Sequence, residues 1–296
     1  MIKFLKNWIL PISMIGGVIL HKYIGCISWL SPILIFCMLT ITFTRLNLKE
    51  FKITRFHLYL LAIQFLGCWA IYYSLYFINP IVADGAFLCV FISTATSASV
   101  VTGMLGGSIL TLAIYTLLSN MVLAITAPTF LSWISIGGEV SFFDSFYKIA
   151  SQVVPMLVIP LILALFMRKY IPRLHGFLSS HQTISFWLWA CALFIVMGNA
   201  VSFIIKQPLS EVDTMCYLGL ASLIVCCLQF FIGRKVGKKF NDKVAGAQAL
   251  GQKNTILALW LSLTYLNPII SVAPAAYIVW QNIINSTQLY LRNRNK

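Results

Sequence analysis

The stretch "QALGQKNTILALW" (248–260) places a lysine, Lys253, among side chains that do polar chemistry in small spaces: Gly251, Gln252, Asn254 and Thr255. A second such stretch, "TATSASVVTGML" (94–105), gathers Ser97, Ser99 and Thr102 around small residues. Amide and hydroxyl oxygens can ligate a hard cation. A lysine among them can instead hold an anion, exchange a proton, or give its own charge to the oxygens that a metal ion would need. Both stretches lie inside apolar runs. A lysine in the middle of a membrane costs roughly 2.5–3.5 kcal/mol on insertion scales, so it is rarely idle. Lys253 lies ten residues past Lys243, which is ~15 Å along a helix. Two readings stand: an internal functional cation, or a side chain that snorkels to the interface.

The elements that must hold these residues follow from composition. The chain of 296 residues is 60% hydrophobic and only 9% charged, far below the roughly one quarter of a soluble surface. Lipid must therefore be its solvent. The net charge of +14 is no nucleic-acid footprint, because the basic residues cluster in "RLNLKEFKITR" (45–55), "RKYIPR" (168–173) and "GRKVGKKF" (233–240). Short basic connectors of this kind mark the cytoplasmic side of a membrane. The eight cysteines show no Cys-x-x-Cys spacing and read as small buried residues.

Stretches near the ~20 residues that cross a bilayer fall at 5–22, 27–45, 56–78, 81–104, 107–128, 146–167, 184–205, 212–233, 243–265 and 268–290. The first reads as a retained span rather than a removed signal. Acidic connectors (Glu139, Asp144; Glu211, Asp213) alternate with basic ones, and both ends are basic. That pattern puts both termini in the cytoplasm and suits an even count of ten spans.

Two halves of five are expected, 1–128 and 146–296, joined by a connecting loop at 129–145. Proline recurs in "ILPISMI" (9–15) and "VVPMLVI" (153–159), and a lone glutamine in "IQFLG" (63–67) and "LQFFIG" (228–233). The small-polar interruptions of the fourth and ninth spans also correspond. Five spans per half make the second copy inverted, a recurrent transporter design with one broken helix in each half. Unwound backbone at membrane depth survives only where protein buries it or it lines a polar cavity.

Several stretches together resemble the bile acid:sodium symporter family: "GAQALGQKNTILAL", "LSPILIFCMLTITFTRLNLKEF", "TSASVVTGMLGGS", "QVVPMLVIPLILALFMRK" and "PAAYIVWQNIINS". The resemblance implies ten transmembrane helices, with broken helices 4 and 9 crossing. It also implies a panel domain of spans 1, 2, 6 and 7, a core domain of the rest, and organic-anion substrates carried by alternating access. The family's crossover motif Glu-x-Gly-x-Gln-Asn reads here as Ala249, Gly251, Lys253 and Asn254. Its Ser-Asn pair in the fourth span reads Ala98-Ser99, while Thr102 fits. One hydroxyl position falls on Leu112 and its partner on Thr116, and Gln64 matches a family sodium-site glutamine. The carboxylate and several oxygens of the sodium sites are thus absent, which leaves sodium in doubt and no other cofactor implied. Lys253 becomes a candidate cation surrogate or proton-coupling group.

The expected function is therefore a carrier of a small organic anion in the inner membrane, as a monomer or homodimer. The alternatives are a receptor, a channel, or a sodium symporter with altered ligands. An enzyme is not expected: the chain has no His-Glu-x-x-His, no Gly-x-Ser-x-Gly and no paired intramembrane aspartates. Asp84 reads as an interfacial helix-start acid, the histidines (21, 57, 175, 181) as interfacial, and both "NPI" triplets as turns. Asn199, Ser202, Gln281 and Asn282 either face a cavity or bond helix to helix. A reporter that is active only in the cytoplasm, fused after Lys296, is expected to be active, and a periplasmic alkaline phosphatase fusion silent. The opposite pattern would overturn the even count.

Overall fold

The computed structural model describes residues 2–45, 52–134 and 142–294. Fourteen α-helices run in order among them: α1 (Ile2–Ile19), α2 (His21–Ile24), α3 (Leu30–Phe43), α4 (Arg55–Tyr76), α5 (Pro80–Phe91), α6 (Ala98–Leu105), α7 (Ile109–Ile134), α8 (Phe142–Tyr170), α9 (Pro172–Ser180), α10 (Thr183–Ile205), α11 (Val212–Lys239), α12 (Lys243–Gly251), α13 (Thr255–Tyr265) and α14 (Val272–Arg294). No strand forms among the described residues.

Local sequence explains several boundaries. Asn79 accepts from the Val82 N–H and Pro80 takes the first helical position, where a missing N–H costs nothing. Asn267 and Pro268 repeat the arrangement before a 3₁₀ turn at Pro268–Ser271. Both "NPI" triplets are therefore helix starts rather than plain turns. Thr54 and His57 form a reciprocal cap on α4. His57 sits at a helix end as expected but is buried, and its Nε2 lies 3.1 Å from the Thr111 carbonyl on α7. Gly106, at φ 76°, ends α6 in the left-handed region that favours glycine.

Among the described residues, four helices are long and apolar enough to cross a membrane: Arg55–Tyr76, Ile109–Ala127, Thr183–Ile205 and Val212–Lys239. A fifth crossing arises if Trp8–Ile19 and His21–Ile27, bent by 85°, count as one. The stretches expected as spans four and nine are each split into two short helices: α5 and α6, α12 and α13. The break removes the length that a hydropathy window needs. Helix also enters both ends of the expected connector at 129–145, since α7 reaches Ile134 and α8 starts at Phe142. Residues 135–141, including Glu139, lie outside the described residues, as do 46–51 of the first basic connector.

The helices form two packing groups. In one, α1 and α3 pack on α10, and α3 also meets α8. In the other, α4, α5, α6, α7, α11, α12, α13 and α14 surround the breaks. The groups meet along α7–α8, α10–α14, α1–α14 and α3–α6. Outward faces carry large apolar side chains, with Leu66 71% exposed, which lipid rather than water would cover. The same reason corrects the cysteine expectation. Cys68, Cys89 and Cys226 are buried, but Cys26, Cys37, Cys191, Cys216 and Cys227 are exposed. An apolar solvent imposes no need to hide a thiol. Asn199 and Ser202 bond helix to helix: Asn199 accepts from Ser28 at 2.8 Å, and Ser202 donates to the His21 carbonyl at 2.8 Å.

Glycines allow a close approach between α11 and α12. A Cβ at Gly233 would collide with the Gly246 carbonyl, and one at Gly246 with the Gly233 carbonyl. Gly219, in the same helix α11, meets nothing within 4 Å. Gly233→Ala is expected to destabilise the protein by about 1–3 kcal/mol through overpacking. Gly219→Ala is expected to be neutral or slightly stabilising, since alanine is the better helix former. Thermal unfolding of the two variants checks the pair, and equal melting temperatures would refute the close approach.

Candidate functional site

The chain leaves helical geometry at Ile92, whose ψ is 145°, and regains it at Ala98. It leaves again after Gly251 and regains helix at Thr255. These two breaks lie side by side. Thr94 and Lys253 form an antiparallel bridge. The Ala95 N–H donates to the Gln252 carbonyl at 3.0 Å, and the Asn254 N–H to the Ser93 carbonyl at 2.9 Å. Each break thus supplies part of the hydrogen bonding that the other lost.

Ending α5 here leaves four carbonyls without helical partners, and the fold satisfies each with a side chain. Cys89 accepts from Gln229 Nε2 at 3.3 Å and Val90 from Lys253 Nζ at 2.9 Å. Phe91 accepts from Gln64 Nε2 at 2.9 Å. Ile92 accepts from both Gln64 Nε2 and Lys253 Nζ, each at 3.0 Å. Lys253 is 1% exposed, so it does not snorkel. Its backbone N–H donates to Gln281 Oε1 at 2.8 Å. A cation at a helix C-terminus also meets the negative end of the helix dipole.

Behind this contact stand two tyrosines that the sequence reading missed. The Tyr115 hydroxyl donates to Gln64 Oε1 at 2.7 Å. Gln229 Nε2 donates to the Tyr277 hydroxyl at 3.0 Å, which donates onward to the Gly251 carbonyl at 2.8 Å. Gln64 and Gln229 thus each meet a buried tyrosine close to a helix break. A tyrosine inside an apolar span was the available signal, obscured by the many tyrosines of the chain. Thr94, Ser119 and Asn120 were missed as well: Thr94 Oγ1 donates to the Ala249 carbonyl at 2.6 Å, and Ser93 Oγ to Asn120 Oδ1 at 2.6 Å.

The other expected residues separate into three places. Gln252, Lys253, Asn254, Thr255 and Ser97 line a cavity of about 160 Å³ with Trp189 of α10 and Asn282 of α14. Gln252 Nε2 donates to Ser97 Oγ at 3.2 Å, and Asn254 Oδ1 caps α13 through the Leu257 N–H. The Lys253 amino group points away, into the α5 carbonyls, so the cavity's own polar groups are neutral amides and hydroxyls. The N-terminal ends of α6 and α13 reach this cavity through Ser97, Thr255 and Ile256, and such ends favour negative charge.

Ala98, Leu112 and Ala249, singled out by the family resemblance as expected losses of oxygen ligands, belong to one apolar cluster with Phe56, Leu60 and Tyr115. Nearby polar groups are partly spent. The Thr116 hydroxyl donates to the Leu112 carbonyl at 2.8 Å. Ser99 Oγ and Thr102 Oγ1 are buried without a hydrogen-bond partner among the described residues. Gly251 has no room for a side chain, since a Cβ there would strike the Phe230 ring. Among the described residues no group of three His, Cys, Asp or Glu side chains is placed to hold a metal.

Lys253→Met removes both Nζ bonds and leaves the Val90 carbonyl without a partner, while Ile92 keeps Gln64. The expected loss is about 1–3 kcal/mol, the cost of an orphaned buried acceptor. Thermal or denaturant unfolding in detergent measures it, and an unchanged stability would mean that water replaces the amine freely.

Comparison with known proteins adds no assignment. No protein-family model matches the sequence. No curated protein matches it either.

Proposed function

We propose that the protein is a secondary carrier of a small organic anion, in which the Lys253 ammonium takes the place of a coupling cation. The reading rests above all on one observation: Nζ bonds two carbonyls at the broken end of α5, beside the pairing of two interrupted helices. Hard cations need oxygen ligands in such a place, and here the oxygens are already held by a tethered positive charge. The apolar packing of Ala98, Leu112 and Ala249 supports the same reading, because it leaves no oxygen side chain at those positions.

The anion preference draws on the helix N-termini at the 160 Å³ cavity and on the positive field of a +14 chain. The carrier class draws on the paired breaks and on the matched glutamine–tyrosine pairs, which fit two inverted halves of five spans. In this proposal the α1/α3/α8/α10 group is the panel domain, the group around the breaks is the core, and the cavity lies between them. The proposed family is that of the bile acid:sodium symporters. The inner-membrane location with cytoplasmic termini follows from the charge alternation.

A second reading, a sodium symporter with altered ligands, draws on the unpartnered hydroxyls of Ser99 and Thr102. Counterflow of labelled small carboxylates in proteoliposomes distinguishes the two. Wild type is expected to show trans-acceleration at equal initial rates in sodium and potassium. The double variant Ala249→Glu, Lys253→Gln is expected to gain sodium dependence, since it returns a carboxylate and removes the resident cation. Sodium-dependent uptake by wild type would instead establish the second reading. Absence of trans-acceleration across the carboxylate panel would sink the carrier assignment.

A further inference from the structure

A second cavity, of about 240 Å³, lies where α3 ends and α10 begins, and it is lined by two arginines from different packing groups. Arg45 follows α3 directly, and Arg292 stands in the last turn of α14. Among the described residues each spends few of its donors on the protein. Arg45 Nε donates to the Ser179 carbonyl at 3.1 Å. Arg292 donates to the Met104 carbonyl near the end of α6. An arginine has five N–H donors, so most of both forks remain for another acceptor. No acidic residue lines the cavity among the described residues.

The seat of Arg292 is built by Gly106. At φ 76° this residue turns the chain after α6, and a Cβ there would press on the Arg292 guanidinium. The guanidinium therefore occupies the space that a side chain at position 106 would need. Thr183, the first residue of α10, adds the N-terminal end of a 23-residue helix to the same wall. Two forks and a helix N-terminus around a small space are complementary to a planar or tetrahedral oxyanion.

We propose that this cavity binds a small oxyanion, a carboxylate or phosphate group, between Arg45 and Arg292. An anion held there ties the end of α3 to the end of α14 and so fastens the two packing groups at their basic end. That latching role rests on the carrier reading, whereas the binding itself does not.

The test uses the full chain in a neutral detergent, with thermal unfolding followed in potassium phosphate or potassium acetate against potassium chloride at matched ionic strength. Wild type and Lys235→Gln, a control whose ammonium lies over the Phe231 ring, are expected to show saturable stabilisation. Arg45→Gln and Arg292→Gln are each expected to weaken the apparent affinity roughly tenfold, and the double variant to lose the response. Gly106→Ala, which keeps both arginines, is expected to weaken binding by displacing Arg292, and covers the case in which the Gln variants fold poorly. Equal responses in wild type, the double variant and Gly106→Ala would overturn the site, as would no response in wild type.

Repeating the titration in nanodiscs separates the sources. If phosphatidylglycerol discs abolish the phosphate response and phosphatidylcholine discs keep it, the occupant is a lipid headgroup. If both keep it, the occupant is a free anion. Binding without counterflow would sink the carrier reading and leave this site standing, and counterflow without binding would do the reverse.

Discussion

A helix that stops inside an apolar solvent must hand its last carbonyls to something, and in this protein the hardest of those demands falls on one amino group. These carbonyls are buried in the protein, so each one left unmatched would cost about 1–3 kcal/mol. Lys253 Nζ takes Val90 and Ile92, with the glutamines of α4 and α11 completing the set. The arrangement is mutual. The lysine is tolerable in the apolar interior because it meets the negative end of α5, and α5 can end there because the lysine meets it.

Other features follow from this contact. For Nζ to reach α5, the Lys253 backbone must leave helix, and the break after α12 then pairs with the break after α5 across the Thr94–Lys253 bridge. Bringing α12 close enough requires small residues, and Gly233 and Gly246 face each other where α11 meets it. The remaining space on the other side of the paired breaks becomes the cavity beside α10. In the proposed carrier, Lys253 would stand where an ion from solution would otherwise bind. Substrate movement would then not wait on an ion from solution. The energetic consequence is a simpler cycle, at the loss of a second ion gradient as a driving force.

Much of this was legible in the residues. The charge deficit named the solvent. The two small-polar interruptions marked where helices would break, because glycine, serine and threonine inside an apolar run have few other uses. Lys253 stood out for its cost alone. The tyrosines did not stand out, since Tyr115 and Tyr277 look like any other tyrosine of an aromatic-rich membrane chain. Their role depends on facing Gln64 and Gln229, and one-dimensional spacing does not report that meeting. The burial of cysteines was misjudged for a related reason: hydropathy does not distinguish a lipid-facing wall from a protein-facing one.

The sequence by itself determined the solvent, the helical class and the places where helix would fail, because these depend on transfer energies and propensities of residues taken one run at a time. Tertiary structure alone decided where the Lys253 amine points. From sequence it served equally as an anion receptor, a proton carrier, a snorkelling end or a surrogate ion. Its contacts with Val90 and Ile92 turn it away from the cavity and toward α5, which only the packing of residues 161 and more positions apart could bring within reach. Likewise Ala98, Leu112 and Ala249 could be singled out from the sequence, but their union into one apolar cluster arises from three helices meeting. Direction and proximity are properties of the folded chain, and the chemistry of a buried charge is set by both.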